Sequence, residues 1–445
     1  MATMTSDDTR ARYVAEFEGL RAQAAEPEPV QALRRRGIER FAEVGFPTIK
    51  QENWRFTNVA PIARTEFRRA DGPADVPAST LALYAYPGVH RLVFVDGFFA
   101  PDLSDLGELP QGVVAGSLKQ ALAERPELVV PHLGRYADME RHPFTALNSA
   151  FFSDGAFLFV PPGRVVERPI QLLYVATAAG GPKVSFPRNL FIAGEASQAL
   201  VVEDYITGPA DSTPFTCSVT EVEAEAGAVL DHYRIQQESR DSYHVALFQI
   251  HQERSSNVRS HTVTTGGALV RNDTGVVLDG EGADCTLNGL YVVNGQQLVD
   301  NHMWIDHAKP HCHSFELFKG ILDERARAVF NGRIHVHPGA QKTDAKQSNR
   351  NLLLSREALV NSNPQLEIFA DDVKCTHGST VGQLDPEAVF YLRSRGIGDD
   401  AATSLLIYAF ASDIVQRIKV DPVREQLAEF LFTRLPKGEI VRQAV

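Results

Sequence analysis

The sequence predicts a mainly β protein, a parallel β-helix (solenoid) flanked by helical regions at both ends of the chain. Three observations carry that prediction. From residue 157 to about 384, β-branched and alternating segments dominate, punctuated by Gly, Asn, Asp and Ser. Within that stretch EASQALV from Glu195, EAGAVLD from Glu225, ERSSNVR from Glu253 and EGADCTL from Glu281 recur at steps of 28–30 residues, and KPHCHSF from Lys309 takes the next step. A second series, out of phase with the first, runs through Asn272, Asn301, Asn331 and Asn361. Two independent columns of nearly one period mark stacked coils, because a coil that cannot bury its apolar face alone buries it against its neighbours. Asparagine suits such a column: its amide can bond the amide above it, and it tolerates the left-handed conformation of a tight corner.

The 445 residues fall into three regions: 1–156 mixed and mainly helical, 157–384 the β-helix, and 385–445 helical again. In the first, residues 10–45 read as helix with a break at the EPEP of 26–29; Val30, Leu33, Phe41 and Val44 keep helical spacing beyond it. QENWRFTN at 51–58 alternates Trp54 and Phe56 with polar residues and reads as a packed surface turn. A loop at 70–80 is followed by a short apolar strand, LVFVDG at 92–97, and residues 118–150 are mostly helical, interrupted at Pro126 and Pro131. Near the end of the β region, residues 366–373 read as one strand, with Cys375 and His377 two apart and so on one face. Asp385-Pro386 and Asp421-Pro422 are helix starts, and Gly396 and Gly398 suit helix ends. In the helix that follows, Leu405, Leu406, Ala409, Phe410, Ile414, Val415 and Ile418 form a broad apolar face, a candidate partner-binding surface. A solenoid has two raw ends, and the flanking regions are the available caps.

Charge and cysteine content narrow the function. With 44 basic against 56 acidic residues, a net charge of −12 argues against nucleic-acid binding. No apolar run is long enough to span a bilayer, and the acidic, non-apolar start is unlike a targeting peptide. Cys217, Cys285, Cys312 and Cys375 are too few and scattered for a disulfide framework, which makes a cytoplasmic location the expectation. There is no GxSxG elbow, no Walker A loop and no GxGxxG after a strand. Eleven of the fourteen histidines lie between His232 and His377. The coil period stacks His307 near His337 and Cys285 near His313, and His335 and His337 share a face. No HExxH or paired CxxC accompanies them, so a hydrogen-bonded imidazole ladder is the plainer reading of this cluster. Cys375 and His377 offer a soft and an intermediate ligand that suit iron, yet a cluster needs about four protein ligands, so as metal ligands they need a second chain or a thiol carrier to complete the site; the reading of equal weight is a buried core cysteine and a hydrogen-bonded end-coil histidine.

The motifs ENWRFTN at 52–58, ALNSAFFSDG at 146–155, FPRNLFIAGEAS at 186–197, LNGLYVVNGQQLVDNH at 287–302, SFELFKGIL at 314–322, FNGRIHVHPGAQKTDAKQSNRNLLLS at 330–355 and DDVKCTHGSTVGQLDPEAVFYLRSRGI at 371–397 give the chain a family likeness. It resembles the SufB/SufD family of the SUF iron–sulfur cluster assembly system, most specifically from 330 to 397 and on the SufD side. SufB-type chains tend to carry cysteine where this sequence has Leu392. The resemblance implies a right-handed parallel β-helix and a cytoplasmic, non-catalytic scaffold. That scaffold would pair with a SufB-like paralogue, or with itself when alone, and bind a SufC-like ABC ATPase through the C-terminal helices. It further implies a transient iron–sulfur cluster at the shared interface, with Cys375 and His377 as this chain's metal ligands and no cofactor held by this chain alone. The reading set against it is a β-helix enzyme acting on carbohydrate, which predicts a secreted form and an Asp- or Arg-lined groove, neither of which the sequence displays.

Overall fold

Two parallel sheets, joined at every corner, run through the computed structural model, which describes residues 6–21, 26–435 and 437–444. Successive strands alternate between them. One sheet stacks Pro214–Ala224, Tyr243–Gln252, Leu269–Leu278, Leu298–His307, Arg327–Val336 and Leu359–Ile368; the other stacks Val229–Gln237, Asn257–Thr264, Asp284–Val293, His313–Leu322, Asp344–Leu353 and Lys374–Gly382. The result is a parallel β-solenoid of about eight turns. Alternate side chains point into the bore, where Val270, Val276, Leu278, Met303, Ile305, Phe318, Leu322 and Phe330 form one continuous apolar stack. LVFVDG contributes the strand His90–Val95, which pairs parallel to Ile170–Ala178.

The corners repeat as the Glu195–Glu281 series predicts, and the reason is a backbone requirement. Ala196, Ser255, His311 and Lys342 all have φ between 55° and 64°. Their N–H groups donate to Ala226, Glu281, Gln341 and Asp372, each in the next coil's corner. The left-handed turn thus aims each donor along the solenoid axis, and that bond offsets the steric cost to a non-glycine residue of roughly 1–2 kcal/mol.

The asparagine column holds for one step and then slips. Asn272 stands opposite Asn301, and their amides bond at 3.1 Å. Asn301 stands opposite Phe330, however, so Asn331 is one residue out of register and faces the other way; Asn361 lies opposite Val329. With a side-chain period of two, a 30-residue step where the coil repeat is 29 moves the residue from bore to surface. The strand read over 366–373 likewise ends at Ile368; Lys374–Gly382 is a separate strand in the opposite sheet, beyond a corner.

The flanking regions lie along the solenoid more than over its ends. The helices Glu28–Val44 and Pro143–Phe151 pack Phe41, Phe144, Leu147 and Phe151 onto Phe186, Leu190, Phe215 and Val245 of the first sheet's outer face. QENWRFTN is more than a surface turn: Trp54 is buried beneath the Arg271 guanidinium at 3.7 Å, and Arg271 donates to the Asn53 carbonyl and to Asp300. At the N-terminal end the antiparallel strands Val114–Ser117 and Phe98–Phe99 close both sheets. The C-terminal helices do not close the other end. Asp399–Val415 and Asp421–Arg434 lay Ile407, Ala411, Ile414, Val423 and Leu427 against Val202, Ile235, Val263, Leu290 and Ile321, on the outer face of the second sheet. Asp385 caps its helix as expected, accepting from the Glu387 N–H at 2.9 Å. Asp421 does not: Val420 holds the cap position and Asp421 pairs with Arg424. Gly396, at φ 88°, ends a helix, whereas Gly398 precedes the next one.

Candidate functional site

Cys375 and His377 sit on Lys374–Gly382, the last strand of its sheet. The register gives their direction. Below Cys375 lie Ala345, Ser314, Cys285 and Val258; below His377 lie Gln347, Glu316, Leu287 and Ser260. These are bore-facing columns, so both side chains belong to the inner face of the final coil. Among the described residues no strand stacks on them from the far side, and His377 is exposed while Cys375 is half-buried. The two side chains therefore line the open mouth of the solenoid.

Around that mouth apolar side chains are left in solvent: Phe369 at 61%, Val381 at 48%, and Phe390 and Tyr391 on the helix Pro386–Ser394 at 70% and 57%. Leu392 is half-buried on the same helix. Both sheets end here, with Leu359–Ile368 and Lys374–Gly382 as edge strands that have a neighbour on one side alone. Such edges and patches are where another chain binds. Pro364 fits an edge, where a missing N–H need not interrupt a ladder.

Burial beside Ala345 and Ala370 raises the Cys375 thiol above its ordinary pKa, the bond from the Ala345 backbone opposing. Burial thus favours the neutral thiol over the thiolate. Two coils down, Glu316 is fully buried with Gln347 donating to it at 3.1 Å, and burial pushes its pKa up to about 8. A neutral acid and an amide therefore line the bore beneath His377.

Of the other cysteines, Cys285 and Cys312 belong to the bore, whereas Cys217 lies on the outer face beneath the helix Pro143–Phe151, its thiol donating to the Phe144 carbonyl at 3.4 Å. Cys217, Cys285 and Cys312 are all buried, and burial pushes each thiol up. Cys285 stands opposite Ser314, one residue away from the expected His313. His307 is also inside the bore, donating to or accepting from Ser314 at 2.9 Å, while His337 lies outside beyond the strand end. His307 and His337 are neighbours along the backbone, the His337 N–H donating to the His307 carbonyl at 3.0 Å, while the His307 ring turns inward to Ser314. The outward partner is Asp306, which stands opposite His335; the 29-residue offset in the sequence carried that signal. On the helix Asp399–Val415, Leu405, Leu406 and Phe410 are half-buried and Ala409 is exposed. Ile414 is fully buried against the sheet, because its turn of helix faces Ile235 and Val263, and it is removed from any exposed binding surface.

Residues 174–410 match the family described as SUF system FeS cluster assembly, SufBD core domain, and residues 8–172 match the SufBD protein N-terminal region. The chain is 32% identical to an iron–sulfur cluster assembly SufBD family protein of Synechocystis sp., over 94% of this chain and 95% of that one. It is 32% identical to the iron–sulfur cluster assembly protein SufD of Escherichia coli, over 90% and 92% of the two chains. It is 28% identical to the SufD of Bacillus subtilis, over 91% and 94%.

Proposed function

The chain belongs to the SufBD family of SUF-system iron–sulfur cluster assembly proteins, and from that premise we propose that it is a non-catalytic scaffold subunit whose open end meets a SufB-type paralogue. The observation that carries this reading is the mouth of the solenoid: a thiol and an imidazole two residues apart, ringed by unpaired strand edges and exposed Phe369 and Val381. Iron and sulfide are the cargo. Cys375 and His377 supply two ligands of the roughly four a cluster requires, and the docked paralogue supplies the rest. A cation arriving between them draws the proton from Cys375, whose burial otherwise favours the neutral thiol.

SufC-type ATPase subunits would grip the solvent side of the C-terminal helices, at Leu405, Leu406, Ala409 and Phe410. Those helices are tied to the solenoid by Lys319, which pairs with Asp413 at 2.7 Å, and by Lys419, which pairs with Asp231 at 2.7 Å. The helix Pro386–Ser394 follows directly on the strand bearing Cys375. A pull on the helices, driven by ATP, would therefore reach the joint and expose the ligands. Without its paralogue the same end would close on a second copy of the chain.

The test is cluster maturation in cells carrying His377→Ala or Cys375→Ser, with light scattering of the purified assembly alongside. The expected result is an intact complex and lost maturation. Full maturation in both variants would remove the assigned role from these two residues.

A further inference from the structure

We propose that Asp306, His335 and His337 form a binding site for a divalent first-row transition cation, zinc(II) or iron(II), on the outer face of the solenoid one coil in from its open end. The three residues offer one ligand atom each, all within 4.8 Å of one another. Asp306 and His335 stand directly opposite on adjacent strands, and His337 follows two residues on, at the corner. The His337 N–H bonds the His307 carbonyl at 3.0 Å, which fixes its backbone, and the two imidazole centroids are 4.4 Å apart.

The separations fit a metal better than they fit a ladder. Ligand bonds of 2.0–2.2 Å in a tetrahedral site place donor atoms roughly 3.3 Å apart. Asp306 Oδ1 lies 2.9 Å from His335 Nδ1 and 3.8 Å from His337 Nε2, distances that bracket that value. The hydrogen bond between Asp306 and His335 accounts for one imidazole alone; among the described residues the His337 ring makes no side-chain hydrogen bond. Glu367, opposite His335 on the next coil, is engaged by Arg333 at 2.6 Å and does not compete.

The molecule contains its own contrast in the same outer column. His251 stands between two carboxylates, Glu223 at 2.9 Å and Asp279 at 3.4 Å, so a single protonated imidazole satisfies both acids. At Asp306 the count is reversed: one carboxylate serves two imidazoles, leaving nitrogen lone pairs without a proton donor. Two imidazoles and one carboxylate are a donor set for zinc or ferrous iron, and too nitrogen-rich for magnesium or calcium. All three side chains are between a quarter and half exposed, so the remaining coordination positions face water.

The site stands apart from Cys375 and His377, and its test keeps the two separate. The full-length protein is titrated with Zn²⁺ alone by calorimetry, as wild type, as His337→Asn, as His335→Asn/His337→Asn, and as Cys375→Ser/His377→Ala, with thermal melting to confirm folding. The expected result is one Zn²⁺ per chain, bound at least about tenfold more weakly by His337→Asn and lost in the double-histidine variant. Cys375→Ser/His377→Ala keeps that binding. Co²⁺ in place of Zn²⁺ gives d–d bands without a thiolate charge-transfer band. Equal Zn²⁺ binding by wild type and the double-histidine variant overturns the proposal, as does binding lost with Cys375 and His377 alone.

Discussion

Among single residues, the bore holds its most consequential chemistry in side chains that carry no ligand. Glu316 is buried with both carboxylate oxygens within 3.2 Å of the Gln347 amide and, among the described residues, no cation beside it. The folded state therefore keeps it protonated up to about pH 8, whereas an unfolded chain ionises it near an ordinary glutamate value. Between those values the native state binds the extra proton, so the carboxyl's contribution to stability falls as pH rises and levels off above about 8. Glu203 is the opposite case: burial raises it, but Arg234 and His232 outweigh that and hold it down at about 2, and it stays charged. Glu316→Gln keeps the shape and removes the titration. Its unfolding midpoint in urea, compared with wild type, is expected to gain steadily from pH 5.5 to pH 8, by up to about 1.4 kcal/mol per pH unit. A difference independent of pH would show that Glu316 is ionised in the folded protein.

At the scale of elements, the solenoid is a ladder to which helices are attached by one face each. Ile414, fully buried between the Asp399–Val415 helix and the second sheet, is the centre of that attachment. Ile414→Ala is expected to cost about 2–5 kcal/mol, concentrated in the C-terminal helices. Limited proteolysis would then cut within the C-terminal helices while the solenoid survived; uniform loss of both would show that they unfold as one unit. The sequence carried the existence of these elements well, because coil period and helix spacing are repeated many times over. Register was less legible. One residue separates Asn331 from the position that continues Asn272 and Asn301, and no local signal distinguishes a 29-residue coil from one of 30. The corners were legible but their conformation was not: Ala196, Ser255, His311 and Lys342 adopt a glycine-like conformation without being glycine. What fixes them is the bond to the next coil, which composition does not record. Trp54 was hidden too, since its burial depends on Arg271, over two hundred residues away in the chain.

For the whole molecule, the decisive feature is that its two ends differ. Antiparallel strands finish the N-terminal end, while the C-terminal end stops with two edge strands, an exposed inner face, and Phe369 and Val381 in water. Head-to-tail stacking would have to extend the ladder from the short antiparallel strands Val114–Ser117 and Phe98–Phe99, four and two residues long, which offer little edge to the ten- and nine-residue strands of the other end. The proposed end-to-end docking with a chain presenting the same kind of end would, in a two-fold arrangement, require the joined strands to run antiparallel. Such a joint would set the inner faces of two final coils against each other, bringing Cys375 and His377 of one against the matching positions of the other. Apolar side chains at the rim would supply the driving force, and charge placed there would be buried without a partner. Phe369→Arg with Val381→Arg tests this directly, since both positions are solvent-exposed and the fold has little need of either. The variant is expected to melt within a few degrees of wild type, yet to remain separate from a SufB-type partner and from its own copies in light scattering. A complex of unchanged mass would place the joint elsewhere and leave Cys375 and His377 without a second half.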